Sequence, residues 1–302
     1  MKTLRHVLKW LFRIAALIVL VGALLAAAGW WYLHPKTRVT KGIVYAERHG
    51  QELTMEVHQP ESPNGLGLVL IVSGKWKSHR DKFKPWLGAP FFRQGYTIFA
   101  VTHLAQPQAT IPEIVQDMHR AVRFVRHHAA DYGVDGDRLA VTGGSSGGHL
   151  SLMLATQGGP GSPDAPDPVD RADSSVQAAA IFFPVTDLLN LGPSTENDGT
   201  GGPPIHFRDS FGPGAKDMKT WREDIGLAMS PLFHIGEKLP PILIAHGDAD
   251  TLVPVDQSVR FQSRAAELGH QVELWVVKGG RHGWLTMLWD ARRFGLWMKE
   301  RL

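Results

Sequence analysis

Val141-Thr142-Gly143-Gly144-Ser145-Ser146-Gly147-Gly148-His149-Leu150 lies between an apolar, strand-like run and an apolar, helix-like one. That context is the one in which a G-x-S-x-G pentad makes a sharp strand-to-helix turn and holds a serine out at the carboxyl edge of a sheet. The turn is so tight that side chains on its flanking residues would clash, which is why they must be glycine. The pattern occurs twice, as Gly143-x-Ser145-x-Gly147 and as Gly144-x-Ser146-x-Gly148. The first register leaves Gly148-His149-Leu150 to begin the helix, so Ser145 is the expected nucleophile. A glycine-rich turn that binds phosphate is the bland alternative, but neither a G-x-G-x-x-G nor a Walker pattern is present.

Working outward, strand-like and helix-like segments alternate. A hairpin is expected over Gly42–His58, and strands over Leu66–Val72, Tyr96–Thr102, Arg138–Thr142, Val176–Phe183, Pro241–His246 and Gln271–Val277. Helices are expected over Thr110–His128, Gly148–Thr156, Asp256–Leu268 and Trp284–Lys299, with Thr110 and Glu113 spaced as a capping box. Continuous apolar runs joined by helices imply a mostly parallel sheet covered on both faces. Two stretches, Gly158–Asp173 and Asn190–Lys219, break the rhythm and read as long loops.

A serine nucleophile needs an imidazole to take its proton and a carboxylate to orient that imidazole. Two later strands end in suitable residues. His246-Gly247-Asp248-Ala249-Asp250 follows one, and Gly279-Gly280-Arg281-His282-Gly283-Trp284 follows another. Asp250 stands further past its strand and is the expected acid, with Asp248 bracing the turn. His246, still on the strand, reads as structural, and His282 as the base. Trp76 and Trp284 flank motif residues and are the tryptophans best placed to line a cleft, core packing being the plainer account of the others.

These residues resemble the α/β-hydrolase superfamily, and within it the carbohydrate-esterase, hormone-sensitive-lipase-like and prolyl-oligopeptidase-like branch. The resemblance runs over about residues 42–300 and rests on GGSSGGHL (143–150), HGDADTLVP (246–254) and GGRHGW (279–284). It implies an α/β-hydrolase fold and cleavage of carboxylic esters through Ser145, Asp250 and His282, with no metal or cofactor. In this branch a His-Gly-Gly-Gly-Trp segment supplies backbone N–H groups to the oxyanion. Here the matching segment is Val72-Ser73-Gly74-Lys75-Trp76, so the expected donors are Gly74, Lys75 and Ser146. A peptidase using the same triad, or a silent hydrolase fold that only binds, are the rival readings. The chain has no room for the propeller that such peptidases usually carry.

The 302 residues, 43% of them hydrophobic, suit one well-cored domain. With no cysteine, disulfides and thiolate chemistry are excluded. The basic pI of about 9.1 misleads. Residues 1–46 hold seven basic side chains and no acid, which leaves 25 basic against 29 acidic residues in the remainder. A mildly acidic domain excludes a nucleic-acid surface. Ile14–Leu33 is 20 residues without a charge, long enough to span a bilayer, with Trp30, Trp31 and Tyr32 at its far end. The expected organisation is a basic cytoplasmic segment (1–13), a transmembrane anchor (14–33), a linker (34–41) and a catalytic domain (42–302) outside the cytoplasm. A signal peptide cleaved after Ala28 is the alternative. The expected partners are a small-molecule ester and the membrane.

Overall fold

A computed structural model describes residues 2–79 and 83–302 of the chain. Helix α1 (Lys2–Leu33) is followed by an eight-stranded sheet in the order β1-β2-β4-β3-β5-β6-β7-β8. Strands β1 (Thr37–Arg48) and β2 (Gln51–Pro60) pair antiparallel, and β2 meets β4 (Thr97–Val101) antiparallel as well. From β4 onward every pairing is parallel: β3 (Gly67–Ile71), β5 (Leu139–Gly144), β6 (Ala178–Phe182), β7 (Ile242–Gly247) and β8 (Val272–Val277).

Side chains alternate across the parallel strands, as the two-residue period requires, and build two cores. Val69, Ile71, Val141, Ile181 and Ile244 face one layer, against α3 (Ile111–His127), α4 (Ser146–Gln157) and α5 (Asp256–Glu267). Leu68, Ala140, Ala180, Leu243 and Ala245 face the other, against α2 (Pro85–Phe92) and α6 (Met287–Lys299). The alanines on this second face leave room for the large Phe294 and Trp297 of α6. α3 starts with the expected capping box: the Glu113 N–H reaches Thr110 Oγ1 at 3.4 Å, and the Thr110 N–H reaches Glu113 Oε2 at 2.7 Å.

Several boundaries differ from the sequence expectation. β1 begins at Thr37, inside the stretch expected as a linker, with Thr37 paired to Pro60. Its first residues are polar and largely exposed, so an edge strand formed there without a hydrophobic signal. β5 runs on to Gly144 and α4 starts at Ser146, so Ser145 alone makes the turn. α2 was not foreseen, since its short run carries Pro90 and no amphipathic period. The Asn190–Lys219 stretch holds short helical turns, Ile205–Phe211 and Pro213–Lys216, and a π turn at Trp221–Ile225 follows it.

α1 stands largely apart from the domain, with none of its membrane-length window buried. Its carboxyl end touches the domain. There the Arg93 guanidinium lies over the Trp31 ring, 3.8 Å from its centroid, and Arg93 Nε donates to the Tyr32 carbonyl at 3.2 Å.

Candidate active site

The turn between β5 and α4 has the geometry that its glycines imply. Ser145 sits at φ 56°, a left-handed conformation that costs a non-glycine residue on the order of 1–3 kcal/mol. Its N–H donates to the Phe182 carbonyl at 3.1 Å, which ties the strained residue to β6. A Cβ on Gly143 would come within 2.5 Å of the Gly147 carbonyl oxygen, and one on Gly147 within 2.9 Å of the Ile71 carbonyl oxygen. Both contacts are with backbone, which cannot swing aside.

The loops after β7 and β8 bring the remaining residues to this turn. A Cβ on Gly247 would meet the Gly280 carbonyl at 2.2 Å, so glycine there lets the two loops touch. The Ala249 N–H donates to that carbonyl at 2.8 Å and pins the approach. Asp250 and His282 then meet. His282 Nδ1 donates to Asp250 Oδ2 at 2.7 Å, and His282 Nε2 faces Ser145 Oγ at 3.0 Å. Phe183, itself at φ 34°, lays its ring 4.6 Å from the His282 ring and backs the imidazole.

The Asp250 side chain is fully buried. Burial alone would raise its pKa. Contacts from His246 and His282, with the Val253 N–H, outweigh that and hold the carboxyl well below the usual carboxylate range. Its Oδ1 accepts from the N–H groups of Leu252 and Val253, each at 3.0 Å. Asp248 is exposed and accepts from the Gly279 N–H at 2.6 Å, joining the two loops away from the imidazole. His246 is buried behind Asp250. Its Nε2 donates to the Val253 carbonyl and its Nδ1 accepts from Ser258 Oγ, each at 2.7 Å.

Ser146 is engaged elsewhere. Its Oγ is 3.1 Å from Ser73 Oγ, which in turn lies 3.0 Å from His103 Nε2, while His103 Nδ1 donates to the Leu104 carbonyl at 2.6 Å. This chain of polar groups fastens the 73–76 loop to the start of α4.

The expected oxyanion donors need one correction. Gly74 and Lys77 exchange backbone hydrogen bonds in both directions at 3.0 Å, so the Gly74 N–H is committed to its own turn. The N–H groups of Lys75 and Ser146 are the candidates that the geometry leaves. Lys75 and Trp76 are both left-handed, at φ 57° and 50°. Two such residues in succession persist only where their surroundings hold them. Here Trp76 Nε1 donates to His149 Nδ1 at 3.2 Å, and His149 Nε2 donates to the Met229 carbonyl at 2.7 Å. Burial pushes His149 down to about 4, so its ring is neutral and both nitrogens keep these roles. Neither His149 nor Phe183 was singled out from the sequence. The available signal was a histidine on the core face of α4, one turn past the serine.

Ser145, Trp76, Val185, Leu191, Phe207 and Leu252 line a cavity of about 40 Å³ beside the serine. Trp76 is a buried wall of it, whereas Trp284 hydrogen-bonds Asp290 at 2.7 Å and packs edge-on against Phe183. Lys75 is exposed at the rim.

The chain matches the BD-FAE family over residues 55–265, and belongs to that family. It is 32% identical over 206 residues to a probable carboxylic ester hydrolase, LipM, of Mycobacterium tuberculosis, covering 68% of this chain and 46% of that protein. It is 24% identical over 297 residues to a probable isoprenylcysteine α-carbonyl methylesterase of Arabidopsis thaliana, covering 95% and 60%. The chain thus spans about half the length of the first of these curated relatives. Among solved structures, a truncated carbohydrate esterase from gut microbiota superposes with a TM-score of 0.70 at 23% identity, covering 87% of this chain and 96% of that one. The apo form of Thermogutta terrifontis esterase 2 gives 0.62 at 25% identity, covering 82% and 85%.

Proposed function

We propose that this BD-FAE family member is a carboxylic-ester hydrolase working through Ser145, His282 and Asp250, and that α1 holds it at the outer surface of a membrane. The observation that carries the chemistry is the hydrogen-bonded line from Ser145 Oγ through His282 to the buried Asp250 carboxylate. The relatives are named as ester hydrolases, which favours esters over amides here.

In this reading His282 Nε2 takes the serine proton as Ser145 Oγ attacks the ester carbonyl carbon. The electron pair displaced onto oxygen is met by the N–H groups of Lys75 and Ser146. One such donor is worth about 3–4 kcal/mol of barrier. Asp250 stabilises the imidazolium, which then protonates the departing alkoxide. Water, deprotonated by His282, cleaves the acyl-serine by the same steps in reverse. The narrow, mostly apolar cavity beside Ser145 suits a short acyl chain. For α1, length, composition and exposure support an anchor, and Lys2, Arg5, Lys9 and Arg13 ahead of the apolar run favour a cytoplasmic amino terminus.

One experiment tests both parts. A charged, membrane-impermeant phosphonate ester applied to intact cells should label Ser145 in the membrane fraction. Ser145→Ala should abolish labelling and lower turnover by about 10³-fold or more. Ser146→Ala keeps its backbone N–H and loses only the Ser73 contact, so it should cost about tenfold at most. Labelling of Ser146 overturns the nucleophile assignment. Labelling that appears only after cell lysis overturns the topology.

A further inference from the structure

We infer that the outward face of α6, with the cleft at the foot of α1, is a docking surface for the anionic headgroups of a bilayer. The inference rests on α1 being a membrane anchor and adds which side of the domain lies against the lipid.

Leu285, Trp289, Arg292, Leu296 and Lys299 follow one another at intervals of four and three residues. Leu285 lies in the turn just before α6, and the spacing of the other four places them on one face of the helix, diametrically opposite the buried Phe294. An outward face of a globular domain ordinarily carries charged and small polar residues. Here Leu285 is fully exposed, Trp289 is 62% exposed and Leu296 42%. α2, packed beside α6, adds exposed Trp86 and Leu87. Large apolar side chains alternating with long cations are what a surface lying in the headgroup region requires. The rings and leucines enter the acyl boundary while arginine and lysine stay with the phosphates.

This face adjoins the end of the anchor. Arg93 caps the last carbonyls of α1 and stacks on Trp31, and both Arg93 and Arg292 act electrostatically on Tyr32. An open cleft of about 470 Å³ lies between Pro35-Lys36 and the domain, with Arg93, Glu61 and Lys299 on its walls. Lys36 pairs with Glu61 at 3.5 Å. Among the described residues, Arg93, Arg292 and Lys299 form no ion pair with a carboxylate, so exposed Lys299 and half-buried Arg93 and Arg292 leave positive charge uncompensated beside the aromatic end of α1. A second copy of the chain is the poorer occupant, because a two-fold contact through this face would set like cations against each other. Leu285 stands three residues past His282, so the contact would also hold the rim of the catalytic cleft toward the lipid.

The chain contains no cysteine, so single cysteines can be labelled without a background. Full-length protein carrying bimane at position 285, 289 or 296, at Leu20 within α1, or at the exposed Phe233 is reconstituted into phosphatidylcholine vesicles, with and without phosphatidylglycerol. A headgroup-level nitroxide lipid is the quencher. Retained phosphonate labelling of Ser145 shows that each variant is folded. Quenching at 285, 289 and 296 should exceed that at 233 by about threefold or more, and should fall about twofold when phosphatidylglycerol is omitted. Quenching at Leu20 with values at 285, 289 and 296 all equal to that at 233 overturns the docking surface and leaves the anchor standing. No quenching at Leu20 overturns both. Disulfide dimers formed through Trp289→Cys in place of lipid quenching assign the face to a second copy and overturn the proposal.

Discussion

Replacing Asp250 by asparagine changes a single atom of the buried side chain, and the geometry says what must follow. Oδ1 would still accept from the Leu252 and Val253 N–H groups, both at 3.0 Å, so the amide nitrogen takes the place of Oδ2. That nitrogen is a donor, and it faces His282 Nδ1 at 2.7 Å, where a second donor now stands. The conflict resolves only if the His282 proton moves to Nε2, 3.0 Å from Ser145 Oγ. Nε2 then offers a hydrogen where a lone pair is needed, and the serine proton has no acceptor. Loss of the base removes about 10²–10⁴ in rate. The imidazolium formed during attack also loses its neighbouring charge, an interaction on the order of 4 kcal/mol at an intermediate dielectric. The two losses overlap, because they act on the same imidazole, and turnover should fall about 10³- to 10⁴-fold. Folding should survive, since both backbone donors keep their acceptor and no buried charge is left unpaired.

The assay is the initial rate of p-nitrophenyl acetate hydrolysis, with circular dichroism to show the fold intact. Asp248→Asn is the control. Its carboxylate serves the Gly279 N–H and never meets His282, so the rate should stay near that of the parent. Adding Asp250→Asn to Ser145→Ala should cost little beyond Ser145→Ala alone, as expected of residues that act as one unit. A folded Asp250→Asn protein within about tenfold of the parent rate would refute the tautomer argument.

Two further outcomes follow from His149. His149→Leu removes the acceptor of the buried Trp76 indole N–H, a loss of about 1–3 kcal/mol, and should relax the left-handed Lys75–Trp76 turn; kcat should drop by about tenfold or more while phosphonate labelling of Ser145 slows in parallel, and an unchanged kcat would show that the loop holds itself. Acid should destabilise the fold in a defined window. His149 titrates near 4 when folded and near its ordinary 6.5 when unfolded, so the unfolded chain binds more protons between those values and stability is lost as pH falls from about 6.5 toward 4. The buried His149 accounts for about 3 kcal/mol of that loss, and His119, also lowered to about 4 by burial, adds to it; urea midpoints that stay flat from pH 7 to pH 4.5 would exclude this linkage.

What was legible in the sequence was what local geometry enforces. The serine could be read because its turn tolerates only glycine at Gly143 and Gly147, each of which faces backbone within 3 Å of a would-be Cβ. Asp250 and His282 could be read because parallel strands deliver their following loops to one edge. α3 announced itself through period and cap. What could not be read were contacts between distant segments that leave no periodic trace. Trp76 and His149 are 73 residues apart, and nothing at either position names the other. Phe183 follows a strand like any other apolar residue, yet its ring backs the His282 imidazole. The start of β1 is polar because it is an exposed edge, where strand pairing needs no apolar face. The short α2, with Pro90 inside it, owes its helix to burial of Phe91 and Phe92 rather than to pattern.

Residues 73–76, where Ser73 and Lys75 stand in place of glycines, depend on distant contacts in the same way. A glycine at position 75 would take φ 57° without strain, whereas lysine there, followed by Trp76 at 50°, costs on the order of 1–2 kcal/mol for each residue. The surrounding contacts are enough to hold it. Gly74 and Lys77 close the turn from both sides, the Gln106 N–H holds the Trp76 carbonyl at 3.0 Å, and Ser73 is fastened to Ser146. The indole is fixed by His149, whose own ring is locked to Met229. Two of these fastenings, Ser146 and His149, stand on the first turn of α4, immediately after Ser145. The same short helix therefore sets the position of Ser145 and of the loop proposed to donate to the oxyanion. The 73–76 loop is held in shape by α4, and lysine is tolerated at position 75 because these contacts offset the strain.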